Sequence, residues 1–274
     1  MGLGGGGVSA QAGPTQWTFA SLPFTELWFH GMALVDPVGP GPVPLYDPAY
    51  PAAIRKEKER AGAGETSLDR SVGTFREAFR RDPAFQVLHF VPLYFPLAGR
   101  TEVFAALKLL GGTGEGIPQA PSARTSFGVA ALGSVLTTPD QRRVLGEFVS
   151  AVEEEWLGFY ESHWRGTADR RQSVEAALSS LWQTTWSPAL APYLQGLGMA
   201  GGTAALASAI GAEGRIFGGS PEDIRDNVLV VSTPPDADRA HEAVFSMLRE
   251  VSFPLVRTVM DRAGMAGTDP GRAE

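Results

Sequence analysis

His241-Glu242-Ala243-Val244-Phe245 is the stretch whose residue types and spacing come nearest to a hydrolytic metal centre. On an H-E-x-x-H helix the two imidazoles lie one turn apart and hold zinc from one face. The Glu beside the first His takes the proton of the metal-bound water. Here Phe245 stands at the second ligand position, and a phenyl ring has no lone pair to give a metal. The candidates are therefore His241 as a metal ligand and Glu242 as a general base, with zinc as the cofactor. The competing reading is a half-buried or surface His near a helix start.

The elements that position this pair are legible. Asn227-Val228-Leu229-Val230-Val231-Ser232 is a β-branched run that predicts a strand, and Pro234-Pro235 stops it. A helix then runs from Asp236 or Ala237 to about Ala263. Its apolar face is Val244, Leu248, Val251, Leu255, Val256 and Val259, and Pro254 kinks it. Over about residues 201–260 this order resembles the edge strand and active-site helix of zincin-like metallopeptidases of the gluzincin type. The resemblance implies that His241 is the first metal ligand and Glu242 the general base. The second ligand falls on Phe245. The third, a Glu on a later helix, has no clear counterpart, and Glu250 lies on the same helix eight residues on. What the resemblance implies is a degenerate or truncated relative with weak or no peptidase activity, and a peptide or protein as its partner.

Other constellations are weaker. Gly196-Leu197-Gly198-Met199-Ala200-Gly201 matches G-x-G-x-x-G, but a dinucleotide site needs a strand before it. The preceding SPALAPYLQ has two prolines. His30 and His89 lie in apolar aromatic segments and read as hydrogen-bonded core residues. His163, near the end of a long helix, is expected to be favoured in its charged form by the macrodipole. Glu153-Glu154-Glu155 reads as the solvated flank of that helix, and Glu222-Asp223 as first-turn acids. Trp156, Trp164, Trp182 and Trp186 read as core, with a sugar or peptide groove as the alternative. No G-x-S-x-G elbow is present.

Composition narrows the classes further. Among 274 residues, 23 Lys+Arg against 30 Asp+Glu give a net charge of -7, which argues against nucleic acid as a partner. With no Cys, neither a disulfide framework nor a thiolate metal site can form. The charge-free stretch 176–212 holds Pro188, Pro192 and many Gly, so it is too polar to be a membrane span. Ala10-Gln11-Ala12 has the small-residue pattern of a signal-peptide cleavage site. The expectation is an extracytoplasmic protein, periplasmic or secreted. The alternative is a cytoplasmic protein with a flexible Gly-rich tail.

The rest of the chain is mostly helical in pattern. Residues 24–35 are apolar nearly all round and suit a buried helix or strand, and the Pro-rich 36–51 forms an irregular loop. Helices are expected over 50–61, from Thr66 or Ser67 to Arg81, over 84–97 with a break at Pro92, from Thr101 to Leu110, from Thr138 to about Trp164 and from Thr167 to about Trp182. Residues 203–210 are open between helix and strand. The fold class is α+β, predominantly α-helical, with a small sheet near the C-terminal end. The division is a 1–14 tail or signal remnant, a helical region 15–110, a Gly/Pro-rich loop 111–123, a second region 124–263 and a tail 264–274. A non-enzymatic binding or scaffold domain, with 84–97 and 176–212 forming an apolar groove, is the alternative function.

Overall fold

The computed structural model describes residues 15–38, 44–95, 98–112, 122–218 and 227–262, with side chains as far as Phe253. The expected signal remnant, the core of the Gly/Pro-rich loop, Glu222-Asp223 and the C-terminal tail fall outside the described residues. The architecture is α+β and predominantly helical, with one four-stranded sheet.

Strand β1 (Gln16–Ser21) buries Trp17 and Phe19 and exposes Gln16 and Thr18, the period of two of a half-covered strand. Sequence patterning did not mark it, because the run is short and follows the Gly-rich start of the chain. Residues 24–35 resolve as helix α1 (Pro23–Val35). Pro23 presets the first turn, and nearly every side chain is buried, so the helix runs through the centre of the domain. Then come α2 (Tyr50–Ala61) and α3 (Ser67–Arg81), the latter opened by a Thr66/Asp69 capping box. Segment 84–97 is more broken than expected. A 3-10 stretch (Pro83–Phe90) leads into the single turn α4 (Val91–Tyr94), which has Pro92 in its first turn. Helix α5 (Arg100–Leu110) starts one residue before Thr101, with Gly99 rather than Thr101 at its cap. Helix α6 (Ala123–Val135) follows, then α7 (Pro139–Glu155) with its Thr138/Gln141 capping box.

Helix α7 continues through a π turn (Trp156–Tyr160) into α8 (Glu161–Gly166). Helix α9 (Ala168–Leu181) likewise continues through a π turn (Trp182–Trp186) into α10 (Ser187–Gly196). The segment before G-x-G-x-x-G is thus helix, and the geometry of a dinucleotide turn is absent there. Residues 203–210 resolve mainly as strand β2 (Gly201–Ala207); β3 (Arg215–Phe217), β4 (Val228–Ser232) and α11 (His241–Arg262) follow among the described residues.

The strand order is β1-β2-β4-β3, with the first three parallel and β3 antiparallel. Strand β2 is buried along its whole length because helices cover both faces. Alternate residues of the sheet divide the core in two. Ala205, Ala207, Val228 and Val230 join the large cluster of α1, α3 and α7, built around Trp28, Phe79 and Phe148. Ala204, Leu206, Leu229 and Val231 pack against Trp182, Leu194, Val244 and Met247 of the C-terminal helices. Gly202, at φ 148°, lets β2 approach Asn227, whose amide donates to the carbonyls of Gly198 and Gly201.

Candidate functional site

Two places could carry chemistry. The first is the start of α11. Asp236 caps a short 3-10 turn by accepting from the Arg239 N–H, and His241 is the first residue of the helix. His241 is exposed, with its ring edge-on to Phe245 at 5.7 Å between centroids. The Glu242 carboxylate accepts from Arg239 Nε at 2.7 Å. Among the described residues, no group of three or more His, Asp and Glu comes together in a way that could hold a metal. The strand before the helix, β4, is internal; the sheet edge on that side is β3. The α11 carboxylate that faces this edge is Glu250. It is buried and accepts from the backbone N–H of Gly214 at 3.1 Å, just ahead of β3, and from the guanidinium of Arg249.

The second place is a buried polar network that begins on α1. His30 and Glu26 lie one turn apart on a helix with almost no solvent contact. His30 Nε2 is 3.0 Å from Glu155 Oε1, and Nδ1 is 3.0 Å from the Tyr50 hydroxyl. Glu155, the last residue of α7, also accepts from Lys58 Nζ at 2.8 Å and from the Thr66 hydroxyl at 2.5 Å. Lys58 is shared with Asp69 at 2.6 Å. Glu155 is fully buried, which corrects the reading of Glu153–Glu155 as a solvated flank; of the three only Glu154 is exposed. Burial pushes Glu155 up, but the donors His30, Lys58 and Thr66 outweigh it and hold the carboxyl at about 2. Burial lowers His30, against the pull of Glu155. The imidazole is therefore neutral at pH 7. An ionised Glu155 needs Nε2–H as donor, so Nδ1 accepts from Tyr50, a tautomer assigned from the network.

The network extends in the other direction as well. The Tyr160 hydroxyl donates to Glu26 Oε2 at 3.3 Å, and Glu26 accepts from both the N–H and the hydroxyl of Ser208 at 3.0 Å. Burial raises Glu26, and it raises Tyr50 and Tyr160 well above 10, so both phenols stay protonated. Glu155, His30 and Tyr50 have the order of a carboxylate that orients an imidazole that in turn holds a hydroxyl.

A cleft of about 540 Å³ lies beside this network, between α2 and the α8–α9 junction. Tyr50, Phe159, His163, Arg170 and Ser208 are among its walls. Ser208 immediately follows β2, so the cleft sits at a carboxyl end of the parallel strands, where crevices of α/β sheets take ligands. The π turn Trp156–Tyr160 carries Phe159 into this wall, and such turns recur at functional sites. His163 stacks on Phe159, with centroids 5.5 Å apart and planes at 25°. Its pKa is lowered, by burial first and then by the neighbouring His30 and arginines, contrary to the expected macrodipole effect. Lys58 and Asp69 border a second cleft of about 520 Å³.

His89 is a core residue, as expected. Its Nδ1 pairs with the Tyr46 hydroxyl at 2.6 Å, and burial brings it down to about 3. Trp156 and Trp182 are core, and Trp164 and Trp186 pack against it partly buried. Segment 84–95 is mostly core, with Phe85, Leu88, Val91 and Leu93 buried, and its last residue, Phe95, borders a further cleft of about 540 Å³ together with Trp156 and Trp164. Sequence reasoning missed Tyr50, Lys58, Glu155 and Tyr160. One signal could have found Glu155, because Phe148, Val152, Glu155 and Phe159 follow the helical spacing of the buried stripe. No family model, no curated protein and no solved structure matches this chain.

Proposed function

We propose that the chain is a zincin-like protein that has lost metal-dependent peptidase chemistry and acts by binding. The observation that carries this reading is the contact between α11 and the sheet edge. An antiparallel edge strand, an internal parallel strand and a helix follow in order, and the helix turns the carboxylate of Glu250 to the start of β3. Where an active zincin would set a water-polarising metal, this carboxylate is clamped by the guanidinium of Arg249. In this frame Arg249-Glu250-Val251-Ser252-Phe253 stands where the motif would be H-E-x-x-H, so both ligand positions are occupied by side chains that cannot bind zinc. His241 and Glu242 form the other frame, with Phe245 at its second ligand position.

Two measurements test the reading. Purified full-length protein should carry less than one zinc per chain and should hydrolyse fluorescent casein no faster with added zinc than with chelator. Stoichiometric zinc that disappears in His241→Ala would overturn it and restore the first frame. Either His pair one turn apart, Arg249→His with Phe253→His or Phe245→His beside His241, should then create zinc affinity on α11. Export is part of the proposal and rests on Ala10-Gln11-Ala12; cell fractionation checks it.

A further inference from the structure

We propose that the cleft between α2 and the α8–α9 junction binds a small organic acid with an apolar body. Arg170 takes its carboxylate and the His163 imidazole faces its hydroxyl. The proposal is independent of the zincin reading.

The chemistry comes from the walls. Arg170 is exposed at the cleft and makes no hydrogen bond or ion pair with the described residues, whereas the guanidinium of Arg60 is already held by Glu57. A planar guanidinium without a partner matches a carboxylate through two parallel N–H bonds. Ile54 and the Phe159 ring give an apolar surface against which a ring or short chain loses water. The His163 ring is fixed by stacking on Phe159, and by Tyr160 at 5.5 Å, yet neither of its nitrogens has a hydrogen-bond partner among the described residues. A neutral imidazole offers one donor and one acceptor, the complement of an alcohol. The volume, about 540 Å³, lies in the range of small-molecule sites.

The network behind the wall supports the same reading. Burying Glu26, His30, Lys58 and Glu155 gains the fold little over apolar side chains of similar volume. What it does is fix Tyr50 and Tyr160, the rings that back the cleft, through hydrogen bonds on both sides.

The experiment uses the full chain labelled with 15N-histidine, in buffer with chelator, titrated with three probes. Mandelate carries ring, hydroxyl and carboxylate; phenylacetate lacks the hydroxyl; benzyl alcohol lacks the carboxylate. The expected result is a saturable shift of the His163 ring resonances by mandelate, with a Kd on the order of 1 mM or tighter, and weaker binding of the other two. Arg170→Ala, an exposed change, should weaken mandelate about tenfold, as expected for one lost charge-assisted contact, and leave benzyl alcohol unchanged. No saturable shift at His163, equal binding of mandelate by wild type and Arg170→Ala, or shifts confined to His89 or His241 would each overturn the proposal. Because chelator is present and no hydrolysis is read, failure here leaves the reading of α11 untouched.

Discussion

Glu155→Ala is the substitution whose outcome the structure fixes most closely. It removes the shared acceptor of His30, Lys58 and Thr66 from a site with no solvent access. Breaking a buried pair by deleting one partner costs about 3–5 kcal/mol. Lys58 keeps Asp69 at 2.6 Å, so the low end, about 3 kcal/mol, applies. For a chain of this size that is a fall in Tm of about 6–12 °C. Titration gives a second route to the magnitude. A carboxyl lowered from 4.5 to about 2 contributes on the order of 3 kcal/mol. The folded value lies below the unfolded one, so this contribution is complete above about pH 4.5 and is lost as pH falls towards 2. Urea unfolding of wild type and variant at pH 7, 4 and 3 should therefore show a gap of about 3 kcal/mol that narrows with acid. An exposed glutamate on α2, Glu59→Ala, should stay within about 0.5 kcal/mol of a neutral surface change. A Glu155→Ala gap as small as that, or one that does not shrink on acidification, refutes the account of the network.

Three further outcomes follow from local geometry. His89, held at about 3 against an ordinary 6.5, must stay neutral in the fold. Stability tied to it is present above pH 6.5 and is lost as pH falls towards 3, so His89→Gln should flatten the acid limb of the wild-type curve, read by thermal melts between pH 4 and 7. A Cβ at Gly111 would lie 2.6 Å from Gly146 Cα, where α5 meets α7. Gly111→Ala should cost about 1–3 kcal/mol by overpacking, whereas Gly64→Ala, with open space around it, should not, and denaturant midpoints separate the two. Thr138→Ala removes the capping box at the start of α7 and should cost about 1 kcal/mol by the same measurement.

Legibility from sequence followed the range of the forces involved. Thr138 acts on its own helix start, and its pairing with Gln141 was readable as a local pattern, while at α3 the cap was open between Thr66 and Ser67 until the structure showed the Thr66/Asp69 box. The strand at β4 and the helix stripe Leu145, Phe148, Val152, Trp156, Phe159 were readable for the same reason. Strand β1 was not, because its pairing energy comes from β2 at the other end of the chain. The polar network was hidden for a related reason. Lys58 sits in a charged helix and Glu155 in a run of three glutamates, and only tertiary packing sets them facing one imidazole. His241-Glu242 stood out because adjacency is visible in one dimension, whereas a shared cavity is not.

The pairing of β1 with β2 sets an order on synthesis. Gln16 lies beside Gly201 and Ser21 beside Leu206, so β1, once made, waits for all of the helices from α1 to α10 before β2 can cover its edge. At about 5–20 residues per second that wait is roughly 10–40 s. Throughout it Trp17 and Phe19 are carried on a strand with open hydrogen-bonding groups. A nascent chain stalled before β2 would present that strand to other chains or to a holding chaperone, while one released after β4 can close it internally.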